Sequence, residues 1–211
     1  MSLKRLLCRV RACTVCADGL PLGPRPVLQI ASSARLLIVG QAPGRKVHET
    51  GVPWHDASGE RLRDWMGIDR AAFYDEGRVA IVPIGLCYPG SDPAGGDKPP
   101  RPECAPLWHA GLIGHLGDVG LTLLVGQHAQ RFHLRLAGKR TMTDTVRSFR
   151  EYAPQFLPLP HPSWRSTIWM RRNPWFEATV LPELRRRVRT VLASKATPEE
   201  RAHGRARRRA S

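Results

Sequence analysis

Three short apolar runs, each closed by glycine, recur along the chain: Arg35 to Gly40 (RLLIVG), Val79 to Gly85 (VAIVPIG) and Leu121 to Gly126 (LTLLVG). Unbroken runs of this length suit strands buried on both faces of a parallel sheet, because half-solvated strands would alternate apolar with polar. A fourth strand is expected at about 155–159, QFLPL. Helical spacing fills the gaps. Residues 58–67 place Leu62, Trp65 and Met66 at i, i+3, i+4 positions with Ser58 as the expected N-cap, and 103–116 and 127–136 are expected to supply two more helices. A last helix should run from about Pro174 to Leu192, with proline in its first turn. Residues 1–30 read as a short basic helix with Leu3, Leu6, Leu7 and Val10 on one side, running into the broken segment GLPLGPRP. Strands alternating with helices imply right-handed β-α-β units. The expected fold is therefore an α/β/α three-layer sandwich on a short parallel sheet, with ligands at the carboxyl ends of the strands. Its parts are an N-terminal segment over 1–30, one domain over 31–193, and a basic tail over 194–211 that lacks apolar periodicity and is expected to be disordered.

A chain of 211 residues accommodates one domain with a real core. Its 33 Lys+Arg against 18 Asp+Glu give a formal charge of +15, which attracts polyanions whatever the fold, so DNA is an expected partner. The Arg-rich stretches at 171–173, 185–189 and 205–209 suit either phosphate contacts or solvated helix faces. No apolar run approaches the roughly 18 to 20 residues that span a bilayer, and the start shows no apolar signal-peptide core, so a cytoplasmic monomer away from membranes is expected. Five cysteines are an odd number for a disulfide framework: Cys13 and Cys16 form C-x-x-C, Cys87 and Cys104 follow the second apolar run, and Cys8 is spare.

Three Gly- or Pro-rich segments follow expected strands: GQAPG at 40–44, LCYPG at 86–90 and HPS at 161–163. A parallel sheet would gather them at one edge. In GQAPG, Gly40, Gly44 and Pro43 let backbone N–H groups approach a ligand closely, although an ordinary strand-to-helix turn has the same composition. The run GQAPGRKVHETGVPWHDASGERLRDWM resembles the first motif of the uracil-DNA glycosylases, and in particular their iron–sulfur branch: GEAPG, charged residues, G-x-PF, then a small-residue turn into a helix. Gly40 to Gly44, Gly51, Pro53 and Trp54 fall in register, and LPHPS at 159–163 resembles the second motif, so the likeness spans about residues 8 to 192.

The resemblance implies a DNA glycosylase that hydrolyses the N-glycosidic bond of a deaminated base, uracil first, in base-excision repair. Another base such as hypoxanthine, or a DNA-binding member with weak catalysis, are the alternatives. A nucleotide-binding oxidoreductase fails because GQAPG lacks the G-x-G-x-x-G fingerprint. To reach its bond such an enzyme must extrude the nucleotide and hold the base against a flat side chain. Trp54 stands where the family's stacking Phe resides, and a core tryptophan is the plain alternative. His161, between two prolines after a strand, takes the place of the donor to the departing base. Trp164 or Arg165 is the expected wedge, and Gly40, Ala42, Pro43, Gly44 and Ser163 complete the base-binding set.

The sequence also departs from the family pattern. Gln41 stands where the iron–sulfur branch has an acid and Ala42 where other branches do, and neither can be a general base, although Gln41 keeps its place in the catalytic set. A branch whose first motif reads GLAPA places its aspartate in a segment like GDRSGDFL, and residues 56–62 match that spacing. Asp56 is thus the candidate acid, or else a helix-capping aspartate, with Glu49 and His48 in reserve. Pro83 replaces the Asn by which relatives read uracil. Cys13, Cys16, Cys87 and Cys104 match in order the ligands that hold a [4Fe–4S] cluster in the iron–sulfur branch, with zinc or free thiols as the alternatives.

Overall fold

A computed structural model describes residues 1–135 and 140–194. In chain order the elements are α1 (Leu3–Arg11), β1 (Leu36–Val39), α2 (Arg45–Thr50), α3 (Ala57–Met66), α4 (Arg70–Phe73), β2 (Val79–Ile81), α5 (Ala110–Ile113), β3 (Leu121–Val125), α6 (Gln127–Leu134), α7 (Met142–Arg147), β4 (Phe156–Leu159), α8 (Arg165–Arg172) and α9 (Leu181–Ala193). The four strands form one all-parallel sheet in the order β2-β1-β3-β4.

The apolar runs are strands because both sheet faces are covered. Leu36, Ile38, Leu121, Leu123 and Leu157 face one layer, made of α3, α7, α9 and Phe176. Their neighbours Leu37, Val39, Ala80 and Leu124 face the other, made of α1, α6 and the Ala105–Leu116 segment. Two apolar clusters on opposite faces make the three-layer α/β/α sandwich. In α1, Leu6 and Val10 are the buried positions of the expected stripe. Pro158 sits within β4 without harm because β4 is an edge strand, where a missing N–H faces no partner.

Several boundaries differ from expectation. The second strand stops at Ile81, although Val82 and Ile84 N–H still donate to the Ile38 and Gly40 carbonyls at 3.0 Å, and Pro83 lies between them with its nitrogen turned away from β1. The helix expected over 103–116 is a wide π-type turn at Ala105–His109 leading into α5, with Pro106 in its first turn. The last helix likewise opens as a π-type turn at Phe176–Val180 before α9. The cap of α3 is Asp56 and not Ser58. Leu136 at the end of the 127–136 helix, the tail beyond Ser194 and the 205–209 arginines lie outside the described residues. The 185–189 run is mostly structural: Arg187 is buried and donates to the carbonyls of Phe156 and Pro154, Arg186 pairs with Glu183 at 2.7 Å, and Arg185 reaches the Asp64 carbonyl.

Within the second layer, His109 and His133 of α6 meet Nε2 to Nε2 at 3.0 Å. Burial first, and then the charge of the other ring, push His109 down to about 4, and burial brings His133 to about 4 as well. With folded values below the ordinary 6.5, the unfolded chain takes up protons first. Their contribution to stability is therefore whole above about 6.5 and drains away as pH falls toward 4. A Tm series across that window should fall for the wild type and flatten for His133→Leu; equal slopes would remove the pair as the cause.

Candidate active site

The three loops expected to meet at the carboxyl edge do so. The chain leaves β1 at Val39 and turns through Gly40–Gly44, with Gly44 as the N-cap of α2. After β2, Ile84 N–H donates to the Gly40 carbonyl (3.0 Å) and Gly85 N–H to the Gln41 carbonyl (2.8 Å), lacing the two loops together. The Leu159 carbonyl at the end of β4 accepts from Gly126 N–H and from buried Gln130 Nε2, both at 2.9 Å. His161 thus leaves the sheet from a fixed point.

Between these loops lies a cleft of about 1310 Å³, its open mouth included. Gly40, Gln41, Ala42, Pro43, Gly44, Trp54, Asp56, His161, Ser163, Trp164 and Arg165 all line it, together with Pro83 and Asp97. The reserve candidates lie elsewhere. Glu49 pairs with Arg45 at 3.1 Å, and His48 is buried with its ring 6.2 Å from that of Tyr88.

Trp54 is half-buried: it packs against the first apolar cluster and also lines the cleft. Its backbone has φ +55°, a left-handed conformation uncommon for a bulky residue. Tyr74 holds it there by donating from its hydroxyl to the Pro53 carbonyl at 3.0 Å. Gly59 in α3 lies so close that a Cβ would overlap the Trp54 carbonyl oxygen, and Gly40 leaves room for the indole, whose Cζ2 lies 3.1 Å from where its Cβ would stand. Strain retained by surrounding structure is characteristic of ligand clamps. The indole and the His161 imidazole lie 5.6 Å apart, tilted by 31°.

Asp56 caps α3, its Oδ1 accepting from Gly59 N–H at 2.8 Å. It remains on the cleft wall, so capping and facing the cleft are compatible. His161 keeps an exposed edge toward the cleft mouth, yet protein crowds it on its other sides. That crowding lowers its pKa from the ordinary value, opposed by the charge of Asp56. The ring is therefore neutral near physiological pH, a donor through one N–H. The Ser163 carbonyl accepts from Arg61 and from Ser166 Oγ, fixing α3 against the start of α8. Trp164 is 68% exposed, with the Arg165 guanidinium 5.2 Å above its ring.

Sequence reasoning missed Asp97. It closes a tight turn in which Asp92 N–H donates to the Gly96 carbonyl and Lys98 N–H to the Gly90 carbonyl, each at 2.8 Å. Gln41 Nε2 donates to the Lys98 carbonyl at 2.9 Å, and Arg165 Nη1 to the Gly95 carbonyl at 3.4 Å, so the turn is tied to both banks of the cleft. The glycine pair before an acid, four residues beyond LCYPG, was the available signal.

Residues 29–185 match the pattern of the Uracil DNA glycosylase superfamily. The chain belongs to this superfamily. Its members are generally DNA glycosylase hydrolases, and the matched span holds every cleft residue named above. No helix among the described residues is long and apolar enough to cross a membrane.

The superfamily match begins after Cys13 and Cys16 but includes Cys87 and Cys104. All four line one apolar hollow with Leu20, Pro24, Pro26, Leu86 and Trp108. Cys13 Sγ accepts from Trp108 Nε1 and Cys104 Sγ from Leu86 N–H, both at 3.3 Å. Burial pushes the Cys87 thiol up to about 11 and raises Cys16 and Cys104. Cys8 stays exposed on α1. Among the described residues no three of these or other ligating side chains close on one point that a lone ion would occupy.

Proposed function

We propose that this glycosylase hydrolyses the N-glycosidic bond of a deaminated base in DNA, uracil first, leaving an abasic site. The observation that carries the proposal is the meeting of Trp54, His161 and Asp56 around one cleft at the carboxyl edge of the sheet. A base turned out of the helix stacks on the indole of Trp54. As the bond breaks, negative charge moves onto the base, and the neutral His161 donates a hydrogen bond to the base oxygen that receives it. The sugar becomes cationic, and the fixed carboxylate of Asp56 stabilises it. Exposed Trp164, stiffened by Arg165, fills the gap in the duplex.

Pro83 lines the cleft and offers no side-chain amide to the base, an observation that favours hypoxanthine or another base as the second reading. Base release from oligonucleotides carrying uracil, hypoxanthine or xanthine, single- and double-stranded, tests both. Fastest release is expected from uracil. Faster release of hypoxanthine would favour the second reading, and tight binding without release of any base would replace hydrolysis with a binding role.

The four-cysteine hollow suits a [4Fe–4S] cluster. N–H donors already aim at two of the sulfurs, as they do around cluster ligands. Cys13, Cys16, Cys87 and Cys104 would hold it, joining the N-terminal segment to the loops after β2. Its hollow shares no lining residue with the cleft, so the cluster would supply a structural tie.

A further inference from the structure

We propose that Asp97 is a further catalytic residue, the general base for the attacking water, and that Gln41 is the positioning residue that holds it at the cleft. The inference rests on the glycosylase reading above and names the acid that the first motif lacks.

Gln41 occupies the place of that acid but is an amide. Its side chain instead binds the Lys98 carbonyl at 2.9 Å, next to Asp97. Arg165 grips the same turn from the opposite bank through the Gly95 carbonyl at 3.4 Å. The turn so held sets an Asp97 carboxylate oxygen against the first motif, 3.3 Å from where a Cβ on Gly44 would stand. Asp56 is the other carboxylate of the cleft, but one of its oxygens is committed to the N-cap of α3 at 2.8 Å. It serves as a fixed negative charge. Asp97 makes no such cap, and its exposed carboxylate lines the same cleft as Trp54, Asp56 and His161.

The charged and titratable groups around Asp97 are Asp56 at the head of α3, His161 after β4, Arg165 at the head of α8, and Asp92 and Lys98 in its own turn, Asp92 accepting from Ala94 N–H at 2.8 Å. By area Asp97 is exposed, but its carboxyl is crowded on the protein side. That crowding first, and the like charge of Asp56 second, raise its pKa above the usual carboxylate range. Greater proton affinity is what a base near neutral pH requires.

The step balances without a further reactant. The bond between C1′ and the base nitrogen breaks, and its electron pair leaves with the base, whose charge His161 stabilises. The water oxygen bonds to C1′ and gives one proton to the Asp97 carboxylate, which later returns it through solvent to the departed base. The products are a free base and an abasic sugar.

Single-turnover release from the best oligonucleotide found for the wild type tests the proposal. Asp97→Asn should slow release roughly 10²- to 10³-fold with DNA affinity unchanged, the range expected for loss of a general base. The wild-type rate should fall on the acidic side with a midpoint above the ordinary carboxylate range, and this limb should vanish in Asp97→Asn, because the rate follows the ionised form. Gln41→Ala should cost less, and the double variant should be no slower than Asp97→Asn alone, as befits a residue acting through another. Wild-type rate and an intact acidic limb in Asp97→Asn, alongside a slow His161→Ala, would overturn the assignment and leave the glycosylase reading standing. Failure of the wild-type protein to release any base would overturn both.

Discussion

His161→Ala is expected to slow base release roughly 10²- to 10³-fold, the usual consequence of removing one donor from a site of developing negative charge. The size follows from the ring's setting. Crowding holds the imidazole neutral, so it approaches the base as a donor without an ionic charge. DNA affinity should change little, because phosphate contacts govern it. Asp56→Asn separates charge from shape at the facing position. Asparagine caps helices about as well as aspartate, so α3 should keep its stability while the rate falls at least as far as in His161→Ala. A matching loss of Tm and activity in Asp56→Asn would reduce Asp56 to a cap, and an unimpaired His161→Ala would remove the histidine from the chemistry.

Protein purified without oxygen is expected to be brown, with broad thiolate-to-iron absorption, and Cys13→Ser should lose both the colour and most of the stability. Binding free energy at such a site is folding free energy, since the N-terminal segment and the loops after β2 otherwise meet through a hollow lined by half-buried thiols. Cys8→Ser, on the exposed side of α1, should change neither property. Iron-free, colourless and stable wild-type protein would exclude the cluster, and one equivalent of zinc would redirect the assignment.

The strands were legible because a parallel sheet covered on both faces demands unbroken apolar runs, and such runs closed by glycine are visible in one dimension. The loop positions of Trp54 and His161 on the cleft were legible because their unusual neighbours, Pro-Trp-His and Pro-His-Pro, mark loops, the first between α2 and α3 and the second after β4. The short helices α4, α7 and α8 escaped notice: each spans only one or two turns, too few for the apolar period to emerge, even though Thr141 and Asp144 form a capping box at α7.

Asp97 shows the other limit. In sequence it is one acid in a glycine-rich turn, 53 residues beyond Gly44, whose missing side chain makes room for it. Only the order β2-β1-β3-β4 brings the loop after β2 beside the one after β1, and only the folded loops allow Gln41 and Arg165 to reach its turn from opposite sides. The same holds for Asp56, which sequence left as either cap or acid and which the fold makes a cap on the cleft wall. Periodicity and motif spacing, being local, determined the layers, the edge where the loops meet and most of the residues there. Which carboxylate is committed to backbone and which faces open space was decided by long-range packing, because hydrogen-bond partners far apart in the chain are chosen only when the sheet has set its register.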